Sequence, residues 1–357
     1  MKPSPFLQGR AAGTHRVLTA QLPAPIAAPR RRDLLKSMAA LGLCAGAGAP
    51  CAAASATRVL KMGYLYVRDS QLGAGAAEFI RRVEGATHGT CRIEEYPNGA
   101  FGGEVEMLDG LRKGELDLAF LTAAPFSGLI PEFGIFDLPF LFRDAAHARA
   151  LIDGPFGQEY LAKFRAYDLV ALAWGETGMR HLTNSKHPIQ MPEDLQGLKL
   201  RVPQSDVTLR CFQQLGVQAA TLGFPALYGA LESGRFDGQE NPIATIRASQ
   251  FERVQHHLTL TGHVYSGAVI LISEDLWEDL SLRERDVFTE AARAASLVSR
   301  QVADRSELDG IAALRAAGMQ IVPEVDKAAF LRALEPTWSE FARQFGQKQI
   351  DRIRAQS

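Results

Sequence analysis

The chain has 357 residues and a mass of 38.9 kDa, with 46% hydrophobic and 22% charged residues, a formal net charge of −1 and a mean hydropathy of −0.06. These values suit a soluble globular protein of one large or two smaller domains. They exclude a multi-span membrane protein, a mostly disordered chain and a coiled coil, and they lack the basic excess of a nucleic-acid binder.

The charge is uneven. Residues 1–56 hold seven of the 39 Lys/Arg and one of the 40 Asp/Glu, so the remainder is acidic. Arg31-Arg32-Asp33-Leu34-Leu35-Lys36 precedes a short Ala/Gly-rich apolar stretch, and Ala54-Ser55-Ala56 supplies an A-x-A cleavage site. Residues 1–56 are therefore expected to be an export signal cleaved near Ala56, leaving a periplasmic protein without stable membrane insertion. The Arg-Arg-x-Leu-Leu-Lys core resembles a twin-arginine signal, and a general secretory signal with incidental arginines is the competing reading. Cys44 and Cys51 leave with the signal, and Cys91 and Cys211 are expected to be buried free thiols.

Residues 59–67 predict a buried strand, and Ala76, Phe79, Ile80 and Val83 follow at helical spacing. Residues 90–96 predict a second strand. Val105, Leu108 and Leu111 mark a helix stopped by Gly114, and residues 116–121 a third strand. Alternating strands and helices predict parallel βαβ units.

The pattern recurs. Residues 198–202 predict a strand; Val207, Cys211 and Leu215 a helix; residues 217–221 a strand; Pro225 a helix start; and Phe236 to Gly238 the beginning of another strand. Leu111-x-x-Gly114-x-x-Asp117 repeats as Leu231-x-x-Gly234-x-x-Asp237. The fold class is thus α/β, with two related lobes and a cleft between them. A proline-free stretch from Leu282 to about Ala317, interrupted at most by Gly310, predicts a long helix spanning both lobes. More helix is expected from Lys327 to about Ile353, broken or restarted at Pro336. The expected lobes are 57–178 plus about 267–306, and 179–266 plus about 307–357.

Ligands of such folds bind at the carboxyl ends of the strands. Arg201 and Arg180 lie near those ends, and a guanidinium there matches a carboxylate with two parallel hydrogen bonds. Each arginine could equally form a structural ion pair. Asn241 can donate to and accept from a polar ligand or cap a turn before Pro242. Phe224 can wall a pocket or pack as core. Tyr265 can sit at a crossing between lobes or simply pack with its hydroxyl at the surface.

The segments 178–185, 197–203, 224–228 and 237–242, with Phe136-Asp137-Leu138-Pro139-Phe140-Leu141-Phe142 and Gly110 to Asp117, resemble the DctP-type solute-binding proteins of TRAP (tripartite ATP-independent periplasmic) transporters. The resemblance covers nearly all of the chain after residue 56, in order. It implies an α/β, two-lobed periplasmic-binding-protein fold (type II-like) with the ligand cleft between lobes, in a monomer that closes on a small organic acid, a mono- or dicarboxylate, and delivers it to the TRAP membrane permease subunits, which an ion gradient drives. It places the carboxylate-binding arginine at Arg201, a second ligand arginine at Arg180, a ligand contact at Asn241 and a pocket wall at Phe224. By analogy Asp69 and Gln71, and the region of Ala124, face the same cleft. Thr122-Ala123-Ala124-Pro125 carries no charged side chain, which favours a smaller, less polar acid over a large sugar acid. Closure is expected about 175–178 and 261–267. No catalytic residues, metal ligands, cofactor or nucleic-acid partner are expected.

The main alternative is an exported NAD(P)-dependent oxidoreductase, from Gly73-Ala74-Gly75-Ala76-Ala77-Glu78 with Glu94 and Glu95 about 20 residues on. Glu78 in place of the third glycine and the five residues between strand and Gly73 weaken it. A ligand-presenting sensor is a third class. No G-x-S-x-G is present, and the histidines lack zinc-site spacing.

Overall fold

A computed structural model describes residues 57–355; the expected export signal, with Cys44 and Cys51, lies outside the described residues. The chain runs from β1 (Arg58–Tyr64) through α1 (Gln71–Ala86) to β2 (Cys91–Tyr96), then through α2 (Glu104–Arg112) to β3 (Leu118–Thr122). Two short 3-10 turns follow, then α3 (Ala145–Asp153), α4 (Pro155–Ala162) and the long β4 (Leu169–Asn184). The second set is β5 (Lys199–Val202), α5 (Asp206–Gln214), β6 (Gln218–Thr221), α6 (Leu227–Glu232), β7 (Gly238–Pro242) and α7 (Ile243–Ala248). The long β8 (His257–Ser273), α8 (Glu274–Asp279), α9 (Leu282–Ala316), β9 (Gln320–Val322), α10 (Lys327–Phe345) and α11 (Gln347–Arg354) complete it.

One sheet runs in the order β2-β1-β3-β8-β4-β7-β5-β6, with β9 beside β8. Strands β1, β2 and β3 pair in parallel, as do β5, β6 and β7. Each half therefore has the expected βαβ design, with its first strand between the other two. The repeated Gly and Asp occupy equivalent places. Gly114 and Gly234 take φ of +69° and +70°, the left-handed conformation that ends a helix. Asp117 Oδ2 accepts from Lys61 N at 2.8 Å, and Asp237 Oδ2 accepts from Lys199 N at 2.9 Å. Each carboxylate pins the start of its half's third strand to the first.

The halves are joined by β4 and β8, which run antiparallel along each other through both. At one end β8 pairs with β3, and at the other β4 pairs with β7. Their ladder shifts register between Ala171 and Ala173, between Glu176 and Gly178 and between Arg180 and Leu182. The second of these falls within 175–178, one of the segments expected to bend, and the first falls outside both.

Helix α9 starts at a capping box, in which Ser281 Oγ accepts from Glu284 N and Glu284 Oε2 accepts from Ser281 N. Its 35 residues continue through Gly310 and at 1.5 Å per residue reach about 50 Å. It packs on α1 in one half and α7 in the other. Gly310 serves that second contact, since a Cβ there would lie 2.4 Å from Ile243 Cγ2.

The C-terminal region differs from expectation at Pro336. Helix α10 continues through the proline and ends at Gly346, whose φ is +87°. The buried face of Phe330, Leu334, Trp338 and Phe341 holds the helix together across the one backbone hydrogen bond a proline removes. Cys91 and Cys211 are both buried and free, as expected.

Gly73 and Gly75 lie inside α1 rather than in a phosphate-cradling turn. A Cβ on Gly73 would come within 2.3 Å of Arg68 O, and one on Gly75 within 2.7 Å of Phe120. Close packing accounts for both glycines, and the dinucleotide reading fails on this geometry.

Candidate functional site

The register shifts in β4 and the ends of β1, β5 and β7 converge on a buried polar cluster. Ser70 caps α1 by accepting from Gly73 N, which sets Gln71 in the first turn, fully buried. Gln71 Nε2 donates to Thr177 O at 2.6 Å and lies 3.5 Å from Thr245 Oγ1. These bonds join the β1–α1 loop to β4 and α7. Tyr66, just past β1, stacks edge-on with Phe224 at 4.7 Å between ring centroids. The two halves thus touch across the cluster at two points.

Arg180 is buried and tied down. Its Nε donates to Glu240 Oε2 at 2.5 Å, and its Nη2 donates to Glu240 Oε1 and to Glu240 O, each at 2.7 Å. Weaker bonds at 3.3 Å run to Ser266 Oγ and Asn241 Oδ1. Burial pushes the Glu240 carboxyl up, but Arg180 and a hydrogen bond from His263 overcome this and hold it at about 2. His263 Nε2 lies 3.1 Å from Glu240 Oε2 and its Nδ1 2.7 Å from Thr261 Oγ1. Burial lowers the His263 imidazole below its usual range despite Glu240.

Arg201 differs. It is 4% exposed, yet the hydrogen bond it makes runs from Nε to Leu222 O, a backbone carbonyl, at 2.8 Å. Among the described residues it forms no ion pair. Burial first, and the like charge of Arg180, push its guanidinium down to about 10, although Glu240, Tyr66 and Glu104 act the other way. A guanidinium in this condition gains charge-assisted hydrogen bonds from any carboxylate that reaches it.

Of the residues singled out in the sequence, Arg201, Arg180, Asn241, Phe224 and Gln71 come together here. Asn241 Nδ2 donates to Gln239 Oε1. Phe224 is half-buried, with Tyr66 on one side and Phe251 6.2 Å away. Ala124 is half-buried at the start of the turn after β3. Asp69 is exposed in the turn before α1. Tyr265 is not brought to it either. Its hydroxyl donates to Glu176 Oε2 at 2.7 Å, in a network where Arg149 also grips Glu176 and Asp304.

Sequence reasoning missed Glu104, Tyr66, Glu240 and His263. Glu104 is the most consequential. It opens α2, is 7% exposed, and its Oε1 accepts from Thr122 N at 2.7 Å. Burial raises its carboxyl, against the pull of Thr122, Arg201 and Arg180. The uncharged Thr122-Ala123-Ala124-Pro125 loop thus has a carboxyl group directly behind it. The four loop residues are uncharged as read from the sequence, and the carboxyl group beside them comes from α2.

Residues 62–344 match the profile of the DctP family, described as bacterial extracellular solute-binding protein, family 7. A solute-binding protein of Verminephrobacter eiseniae is 38% identical over 304 residues, which is 85% of this chain and 91% of that protein. The structure of a TRAP periplasmic solute-binding protein from Polaromonas sp. JS666, bound to D-erythronate, superposes with a TM-score of 0.83 at 41% identity. It covers 84% of this chain and 99% of its own. A TRAP periplasmic solute-binding protein from Bordetella bronchiseptica, with density assigned to pantoate, gives 0.82 at 39% identity over 84% of this chain and 100% of its own.

Proposed function

Because the chain belongs to bacterial extracellular solute-binding protein family 7, a family of transport binding proteins rather than enzymes, we propose that it captures a small organic acid outside the cytoplasm and delivers it to a TRAP-type permease driven by an ion gradient. The observation that carries this is Arg201, a buried guanidinium bonded to a backbone carbonyl, at the meeting of two lobes. The acid seen with the Polaromonas relative and that assigned in the Bordetella one are both carboxylates, which supports the reading. No helix among the described residues is long and apolar enough to cross a membrane.

In this reading the ligand carboxylate docks on Arg201. Asn241 supplies hydrogen bonds, Phe224 excludes water, and Arg180, held by Glu240, braces the wall. Residues 57–178 with about 267–306 move against 179–266 with about 307–357. Closure follows because Gln71 and Tyr66 meet the other lobe and the ligand together only when the cleft is shut. The protein acts as a periplasmic monomer, after removal of residues 1–56.

A thermal-shift screen of the purified protein against mono- and dicarboxylates, keto acids, sugar acids and NAD(P) tests this. An acid at about 1,000 times its Kd adds about 4 kcal/mol and raises Tm by several degrees. Arg201→Ala is expected to weaken that acid by about 1.5–3 kcal/mol. Unchanged affinity in Arg201→Ala, or a response to NAD(P) alone, overturns the proposal.

A further inference from the structure

Thr177 is the residue at which the two joining strands lose step. The ladder pairs Glu176 with Gly267 and Gly178 with Ser266, so Thr177 has no residue across from it. A bulge leaves its extra residue unpaired in the ladder, and Thr177 is fully buried, where an unpaired backbone carbonyl is destabilising. The partner comes from a side chain 106 residues away: Gln71 Nε2 donates to Thr177 O at 2.6 Å. The same nitrogen lies 3.5 Å from Thr245 Oγ1, on α7. Thr177 Oγ1 donates to Ser266 O at 3.3 Å, so the bulge is held from two sides. Gln71 is itself fixed. It is fully buried in the first turn of α1, and Ser70 sets that turn: its Oγ accepts from Gly73 N at 3.1 Å and donates to Val67 O at 2.6 Å. A carbonyl only accepts, so the amide nitrogen has to face Thr177 O and cannot change places with the amide oxygen. Gln71 Oε1 is left buried without a hydrogen-bond partner. The orientation therefore satisfies the bulge and leaves the amide's own oxygen unmet.

Resting on the reading that the lobes close on a ligand about this segment, we infer that Gln71 is a positioning residue of the hinge: its amide pins the bulged Thr177 peptide to α1, and through Thr245 to α7, and so fixes the arrangement in which the cleft shuts. Helix α1 belongs to the first βαβ half and α7 follows β7 of the second, so one amide nitrogen joins both halves at a strand they share. Helix α9 packs on α1, β4 and α7 alike, which places the three tethered elements under one helix. Gly178, next in the chain at φ +112°, holds a conformation glycine takes far more readily than other residues, so the bulge is specified by its backbone and by its tether together. Without the amide, the Thr177 carbonyl is buried and unpaired, and the bulge opens locally at a smaller cost than the rest of the sheet.

Hydrogen exchange read by mass spectrometry tests this on the ligand-free wild type, Gln71→Met and Gln71→Asn. Methionine keeps the length of the side chain and has no donor. Asparagine keeps the amide and falls short of Thr177 by one methylene. Both variants are expected to raise exchange in residues 174–180 by roughly fivefold or more, as the loss of one neutral hydrogen bond gives, while β5 and β6 exchange as in the wild type. Titration calorimetry with D-erythronate and with succinate as probe acids is expected to show each variant binding roughly three- to tenfold more weakly whichever acid the wild type binds. Melting curves without ligand establish that each variant folds, and should Gln71→Met not fold, Gln71→Asn decides. Unchanged exchange at 174–180 overturns the inference whatever the affinity does, because a residue that only touches the ligand leaves the empty hinge as it was. Raised exchange with unchanged affinity overturns it too, since the tether then has no bearing on closure. So does failure of both variants to fold, which would make Gln71 a structural residue of the core. If the wild type binds neither acid, the exchange alone decides this inference, and the carboxylate screen decides the function proposed above.

Discussion

Arg180 reaches diagonally across the β4–β7 ladder to Glu240, whose directly opposed residue is Leu182, while Arg180 itself opposes Pro242. Same-face diagonal neighbours are within reach of a long side chain, and here the reach produces a two-point ion pair sealed from water. Arg180 is thereby neutralised, which leaves Arg201 as the guanidinium with charge to offer a ligand.

Glu240→Ala strands the Arg180 charge in the interior. Breaking one side of such a pair is expected to cost about 3–5 kcal/mol, read by urea denaturation without ligand. Because the Glu240 carboxyl is held at about 2 in the folded protein, against about 4.3 unfolded, its contribution is fully present above the unfolded value. It is lost as pH falls from there toward 2. The gap between wild type and Glu240→Gln should therefore shrink across that window. A loss below about 1 kcal/mol at neutral pH would contradict this account of the pair.

Asp137 behaves in the opposite sense. It is buried, its Oδ2 has no hydrogen-bond partner, and burial lifts its carboxyl to about 7 although Ser205 and Arg180 pull it down. The folded state holds this proton more tightly than the unfolded chain, so stability from this group is present below about 3.9 and is lost as pH rises to 7. Asp137→Asn should match the wild type near pH 4 and exceed it above pH 7, by up to about 4 kcal/mol at 1.36 kcal/mol per pKa unit. Equal stability of the two proteins at pH 8 would refute it.

Gly178 sits at a register shift of β4 with φ +112°, where a side chain is strained whatever the space. A Cβ there would meet nothing nearer than Pro242 at 3.6 Å, so crowding is not the obstacle. Gly178→Ala is expected to lose about 1–3 kcal/mol from backbone strain alone. If the lobes close about 175–178 as proposed, the ligand-induced change in small-angle scattering should alter as well. A stable variant with wild-type closure would remove Gly178 from the hinge.

The two βαβ halves were legible because their signals are local. Apolar spacing and the Gly114 and Gly234 stops act within a few residues, and Asp117 and Asp237 marked the repeat by their spacing from those glycines although their own bonds reach back to Lys61 and Lys199. Strands β4 and β8 were not, since Glu176, Thr177, Arg180, His181 and Thr183 interrupt the hydrophobic run and find partners only from distant segments. Glu104 looked like an ordinary acid in a helix's first turn, where the helix dipole favours one. Its place behind Thr122 depends on how α2 lies against β3. Pro336 misled because a local rule about proline was outweighed by the packing of its neighbours.

Strands β4 and β8 run through both lobes. Neither lobe is a contiguous piece of chain that could be excised, expressed alone or exchanged with a relative. An exchange of ligand preference between proteins of this architecture has to be made side chain by side chain. The strands that join the two halves also oblige them to be inherited together.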